Sequence, residues 1–95
     1  MYATIRRYEN VPDPAEAGRR VHEEFIPLIS EVEGFIAYYW VDAGNGVMVS
    51  TSVYEDQAGA DASNERAARW IRENPGVVPP SPQITAGEVA ASKAA

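Results

Sequence analysis

The sequence has no cysteine, a single histidine and few basic residues, and each shortage excludes a class of protein. Without cysteine, the 95-residue chain can form no disulfide framework, thiolate nucleophile or cysteine-based metal site. A single histidine does not make a metal centre. His22 lies beside two glutamates and is therefore expected on the surface. Eight basic against fourteen acidic residues give a net charge of -6, which argues against nucleic acid and anionic membranes as partners.

Long apolar runs and common catalytic motifs are also missing. No apolar stretch approaches the roughly 20 residues that span a bilayer. The opening residues "MYATIRRY" lack the pattern of a signal peptide, so a cytoplasmic protein is expected. The sequence contains neither a nucleophile-elbow GxSxG motif nor a glycine-rich phosphate loop.

The residues that are present predict one helix early in the chain. A short strand, Tyr2–Tyr8, precedes Asp13 and Pro14, which fit an N-cap and a first helical position. The helix that follows has an apolar stripe at helical spacing, formed by Ala17, Val21, Phe25, Leu28 and Val32. Pro27 lies inside this stripe and lacks the N–H that would bond to Glu23, which predicts a kink between Glu23 and Ile26.

The second half of the chain predicts a hairpin, a helix and a final strand. Phe35–Ala43 and Val47–Tyr54 alternate as strands around Asn45 and Gly46, which suit a tight turn. An alanine-rich helix starts at Asp56 and ends at Asn74, and Gln83–Val89 forms the last strand. The order βαββαβ predicts a ferredoxin-like α+β domain over residues 1–89, a four-stranded antiparallel sheet with two helices on one face. Residues 90–95 are expected to be a disordered tail.

The hairpin turn also predicts which side chains share a face of the sheet. If Gly44 pairs with Val47 and the register continues, one face carries Ile36, Tyr38, Trp40, Val49, Thr51 and Val53. The other face carries Phe35, Ala37, Tyr39, Val41, Met48, Ser50, Ser52 and Tyr54. The aliphatic face suits packing under the helices, so the mixed face is predicted to be open, together with Tyr2, Thr4, Arg6 and Tyr8 of the first strand. An open face of this kind indicates a homodimer interface or the lining of a small-molecule pocket.

Four stretches together resemble a known family. "EGFIAYYWVDAGNG", "STSVYED" running into the alanine-rich helix, the tryptophan near the end of that helix and "ITAGEV" are similar to the antibiotic biosynthesis monooxygenase-like family of dimeric α+β barrels. The resemblance implies a homodimer that joins two open sheet faces, and relatives that are cofactor-free monooxygenases or haem-degrading enzymes. It also implies that Asn64 and Trp70 lie near the pocket. No histidine follows Trp70, which argues against the haem-degrading branch.

These observations lead to a candidate site and three hypotheses for function. Arg6 and Tyr54 are the candidate catalytic residues, and the candidate ligand-binding residues are Tyr39, Ser50, Ser52, Asn64 and Trp70; no metal or cofactor is expected. The first hypothesis is a cofactor-independent monooxygenase for a small aromatic or quinone-like compound. The second is a non-catalytic small-molecule binder, and the third is a structural or stress-related dimer whose cavity its own side chains fill. The residue types favour the structural alternatives, in which the tyrosines are interface residues, Asn64 is a solvated helix residue and Trp70 is a core residue.

Overall fold

Four antiparallel strands form one sheet in the computed structural model, which describes all 95 residues. The strands are β1 (Tyr2–Tyr8), β2 (Phe35–Gly44), β3 (Val47–Tyr54) and β4 (Gln83–Glu88), in the spatial order β2-β3-β1-β4. The helices are α1 (Pro14–Arg20), α2 (Ile26–Ser30) and α3 (Gln57–Glu73). Burial alternates strictly along β3, because helices cover one face of the sheet only. The predicted ferredoxin-like fold is confirmed.

The predicted interruption of the first helix is a π-helical turn, Val21–Phe25, between α1 and α2. The N–H of Ile26 bonds to the carbonyl of Val21, five residues back, just before Pro27. This wider turn moves the buried stripe by one position, so that Ile29 is fully buried and Leu28 is 39 % exposed. The prediction that Leu28 belongs to the stripe is therefore wrong.

The ends of the helices follow their capping residues. The Asp13 carboxylate accepts a hydrogen bond from the N–H of Glu16, and the Asp56 carboxylate accepts one from the N–H of Gly59. The irregular segment 75–82 connects α3 to β4, as its prolines predict, yet it inserts Val77 and Val78 into the main core. Residues 90–95 form neither helix nor strand.

The hairpin turn is as predicted, but the register beyond it is not. Asn45 and Gly46 have φ angles of 56° and 76°, and Gly44 pairs with Val47. A β-bulge at residue 43 then pairs Asp42 with Met48 and displaces the pairs by one residue as far as Ala37 with Val53. A second irregularity at residue 36 pairs Phe35 with Tyr54. Because the side-chain period of a strand is two, this displacement moves the side chains of β3 to the other face relative to residues 37–42 of β2.

The face under the helices is consequently the polar and aromatic one. It carries Thr4, Arg6, Tyr8, Tyr38, Trp40, Met48, Ser50, Ser52 and Tyr54. The opposite face, here called the open face, carries Ala3, Ile5, Arg7, Ala37, Tyr39, Val41, Val49, Thr51 and Val53. The predicted faces are correct for Tyr38, Trp40 and Tyr39 and wrong for the side chains of β1 and β3, including Arg6. No helix has the length and apolar character to cross a membrane.

Candidate functional site

An aromatic cavity lies between the covered face of the sheet and the helices. Phe25, in the π-helical turn, has its ring centroid 5.7 Å from that of Tyr38 and 5.4 Å from that of Trp70. The rings of Tyr8 and Trp40 are 5.6 Å apart on the same wall. The cavity measures about 10 Å³, which is room for roughly one water molecule. Its walls therefore already pack against one another.

One buried cation, Arg6, lines this cavity. Arg6 is only 5 % exposed, and its Nη2 donates a hydrogen bond of 2.5 Å to Oδ1 of Asn64 on α3. The ion pairs of the protein involve Arg7, Arg19, Arg20 and Arg66, so Arg6 has no carboxylate partner. Buried charges are normally paired, since an uncompensated one is costly to remove from water. Arg6 is therefore the strongest candidate for a functional residue in the structure.

Arg6 also lines a second space, which lies beside α3. A groove of about 340 Å³ runs between α3 and the start of β4 and shares Arg6 and Ile71 with the cavity. The other residues that line the groove are Asn64, Ala68, Arg72, Pro80, Pro82 and Ile84. The cavity and the groove are therefore neighbouring compartments with a common wall.

The phenols beside Arg6 are held in their neutral form. Burial raises the pKa of Tyr38 well above its usual range, while contact with Ser50 and the charge of Arg6 act in the opposite direction. Burial likewise raises the pKa of Tyr8, with Arg6 opposing it. Neutral phenols donate hydrogen bonds and are poor bases. The eleven residues that line the cavity include no Asp, Glu or His.

The structure brings together four of the predicted site residues. Arg6, Ser50 and Trp70 line the cavity, and Asn64 lines the groove and accepts the hydrogen bond from Arg6. Asn64 is half-buried in this contact, and Trp70 packs in the core against Phe25.

The other three predicted residues lie elsewhere. Tyr39 is 63 % exposed on the open face, because the bulge separates it from Ser50, Ser52 and Tyr54. The Tyr54 hydroxyl donates a hydrogen bond of 3.0 Å to the carbonyl of Ile29, in a small separate cluster with Val32 and Ala60. Ser52 is buried opposite Thr4, and neither hydroxyl has a hydrogen-bond partner. None of the three lines the cavity.

Several cavity residues were not identified from the sequence. Phe25 was assigned to the helical stripe and Tyr38 to the helix-facing side of the sheet, without a role in a site. The pairing of aromatic residues on β1 and β2 with a kinked helix could have drawn attention to them, because π-helical turns often occur at functional sites.

The structure contains no grouping suited to a metal ion. No cluster of three or more His, Cys, Asp or Glu side chains is placed to hold one. His22 is exposed in the π-helical turn, as predicted, and does not line the cavity.

Comparisons with known proteins support the fold. Neither models of protein families nor curated protein sequences give a match. A protein of unknown function from Nitrosomonas europaea is 24 % identical, with a TM-score of 0.76 over 99 % of this chain and 93 % of that one. A cofactor-independent oxygenase from Streptomyces nogalater is 12 % identical, with a TM-score of 0.72 over 96 % of this chain and 94 % of that one.

A third similar structure was solved with a ligand. It is a monooxygenase from Streptomyces coelicolor in complex with Nanaomycin D, 14 % identical, with a TM-score of 0.69 over 99 % of this chain and 91 % of that one. Another match, with a TM-score of 0.70, is described simply as an antibiotic biosynthesis monooxygenase. The chain has the fold of the antibiotic biosynthesis monooxygenases, as the resemblance in sequence implied. At these identities the likeness extends to the fold alone.

Proposed function

We propose that this protein is a cofactor-independent monooxygenase for a small aromatic or quinone-like compound. The observation that carries the proposal is Arg6, a buried guanidinium without a carboxylate partner, at the wall of an aromatic cavity. Aromatic side chains bind a planar ring, and a cation in a dry site stabilises negative charge that develops on it. Three of the structurally similar proteins are described as oxygenases, which favours this chemistry over others.

Oxygenation without a cofactor requires that the substrate supply the electrons. A ring CH₂ group that has lost a proton to the solvent is an electron-rich anion, which transfers one electron to O₂ and then combines with the superoxide as a peroxide. Protonation and loss of water leave a carbonyl, so one oxygen atom enters the substrate and the other leaves in water. Arg6 would stabilise the anion, and Tyr8 and Tyr38 line the same cavity as Arg6.

The substrate needs more room than the closed cavity provides. The cavity holds about one water, whereas the groove beside it measures about 340 Å³. Ile71 belongs to both walls, so a change in its rotamer would join the two spaces. We expect a bound ring to occupy the joined space with Arg6 at its centre.

The same proposal includes a homodimer through the open face. Ile5, Tyr39 and Val41 are exposed there, and Val49 and Val53 are half-buried between them. An apolar sheet face of this kind favours burial against a second copy.

An oxygen-uptake assay tests the enzymatic hypothesis. With a dihydroxy-anthrone as test substrate, the wild-type protein should consume oxygen faster than buffer, and Arg6→Ala should lower the rate at least tenfold, about 1.4 kcal/mol of barrier. Arg7→Ala is the matched control, because Arg7 is the next residue and lies on the open face. Equal rates for the two variants would contradict the role of Arg6.

A non-catalytic binder is the second candidate, favoured by the absence of a carboxylate or imidazole base in the cavity. It predicts turnover equal to that in buffer, together with ligand-induced thermal stabilisation. The small size of the cavity favours a third candidate, a structural dimer, which predicts neither turnover nor binding.

A further inference from the structure

The charge of Arg6 is not balanced by any group of the chain that faces it. Its hydrogen-bond partner on α3, Asn64, is a neutral amide. Its charge acts on the phenols of Tyr8, Tyr38 and Tyr54, and burial raises the pKa of each, so all three are neutral at neutral pH. The other charged side chain that lines the groove with Arg6 is a second cation, Arg72. An arginine has five N–H donors, and Arg6 uses one of them in the structure. Arg6 therefore retains both an unpaired charge and unused donors.

The groove that reaches Arg6 has the composition of a site for an organic anion. Its apolar part is formed by Ala68, Ile71 and Ile84 with two prolines, and its polar groups are Arg6, Asn64 and Arg72. No acidic residue lines it, although the chain carries a net charge of -6. The Asn64 carbonyl oxygen accepts from Arg6, so its amide NH₂ group remains available as a further donor.

Neither compartment contains a residue able to remove a proton from a bound substrate at neutral pH. The combined linings lack Asp, Glu and His, and the tyrosines are poor bases. A ligand that must be deprotonated on the protein would find no acceptor there. A ligand that ionises in solution needs none, and its charge would compensate that of Arg6.

We propose that the ligand is a small aromatic compound already ionised at neutral pH, such as an acidic hydroxyquinone, an enolised ring or an aromatic carboxylate. Its anionic oxygen accepts from Arg6 and from the amide of Asn64, and its ring lies between Ile71 and Ile84. The aromatic class rests on the proposed function, whereas the charge requirement rests on Arg6 alone.

A matched pair of probes tests the charge requirement. 2-Hydroxy-1,4-naphthoquinone is a vinylogous carboxylic acid and is ionised at neutral pH, and its methyl ether has the same rings but cannot ionise. By isothermal titration calorimetry the hydroxyquinone should bind the wild-type protein at least tenfold more tightly than the ether. Arg6→Gln should abolish this difference, and Arg7→Gln, with the same change of charge on the opposite face, should retain it. Equal affinities in the wild type, no binding of either probe, or a difference that survives in Arg6→Gln would overturn the proposal.

The position of the probe is tested separately from its affinity. In methyl NMR spectra, the hydroxyquinone should shift the signals of Ile71 and Ile84 and leave that of Ile5, on the open face, unchanged. Shifts confined to Ile5 would place the anion elsewhere and overturn the proposal.

If Arg6→Gln does not fold, Arg6→Lys is the substitute variant. It keeps the charge but not the forked donors, and should weaken the binding of the hydroxyquinone more than that of the ether. Since these experiments measure binding, their outcome is independent of whether any probe is oxygenated.

Discussion

Arg6 and Arg7 are adjacent and chemically identical, yet the sheet places them in opposite environments. Arg7 is on the open face and pairs with Glu9 at the surface, where such a pair contributes little to stability. Arg6 is buried against a neutral amide. An unpaired guanidinium buried under the helices lowers the stability of the fold. Such a cost is expected where the charge binds a ligand.

The structure gives Tyr54 a structural contact, and this leads to a prediction at the residue scale. Replacing Tyr54 by Phe removes the hydrogen bond to the Ile29 carbonyl and should lower the free energy of unfolding by about 1 kcal/mol. Tyr39→Phe is the control, because Tyr39 is 63 % exposed, and it should leave stability unchanged. Urea denaturation measures both. Loss of oxygen uptake at unchanged stability in Tyr54→Phe would instead support the catalytic role expected from the sequence.

Residues that act through local backbone chemistry were predictable from the sequence. Asp13 and Asp56 cap helices, and Asn45 and Gly46 form the turn, because each role depends on a residue and its immediate neighbours. The contact between Arg6 and Asn64 joins residues 58 positions apart. It depends on the register of the sheet and on the rotation of α3, which no local pattern specifies.

At the scale of elements, the two errors of prediction have the same cause, a single inserted residue. The bulge in β2 displaces the hairpin register, and the π-helical turn displaces the buried stripe from Leu28 to Ile29. Both preserve the type and order of the elements, which the hydrophobic period predicts well. Both change which side chains face inward, and the candidate site depends on that.

A pair of alanine substitutions tests the effect of the π-helical turn. Ile29→Ala should lower the free energy of unfolding by about 3 kcal/mol, because a fully buried side chain leaves a cavity. Leu28→Ala removes a side chain of the same size from a position that is 39 % exposed, and should cost less than about 1 kcal/mol. Equal losses in chemical denaturation would argue for a regular helix through this segment.

At the scale of the whole molecule, the two faces of the sheet differ in what covers them. The aromatic residues of β2 alternate between the faces, with Tyr38 and Trp40 under the helices and Tyr39 outside. The covered face carries the candidate site, whereas the open face carries apolar side chains that have no role within a single chain. This division is consistent with a dimer in which each subunit retains its own cavity.

A charge on the open face should prevent association. The wild-type protein should sediment as a dimer at micromolar concentration, and Tyr39→Glu should shift it to monomer, because the carboxylate would be buried without a partner. Leu28→Glu, an exposed apolar position on the helical side, should remain dimeric. A monomeric wild-type protein in sedimentation equilibrium would refute the dimer.

The segment between α3 and β4 has a consequence for the rate at which a ligand exchanges. Val77 and Val78 anchor it in the core, Val78 lines the cavity, and Pro80 and Pro82 form a wall of the groove with restricted backbone angles. Moving this wall to admit a ligand would disturb the packing of Val77 and Val78 in the core, so movements of this kind should be brief and rare. Ligands should therefore associate more slowly than the 10⁵–10⁷ M⁻¹s⁻¹ typical of open protein surfaces, and once inside they should also leave slowly.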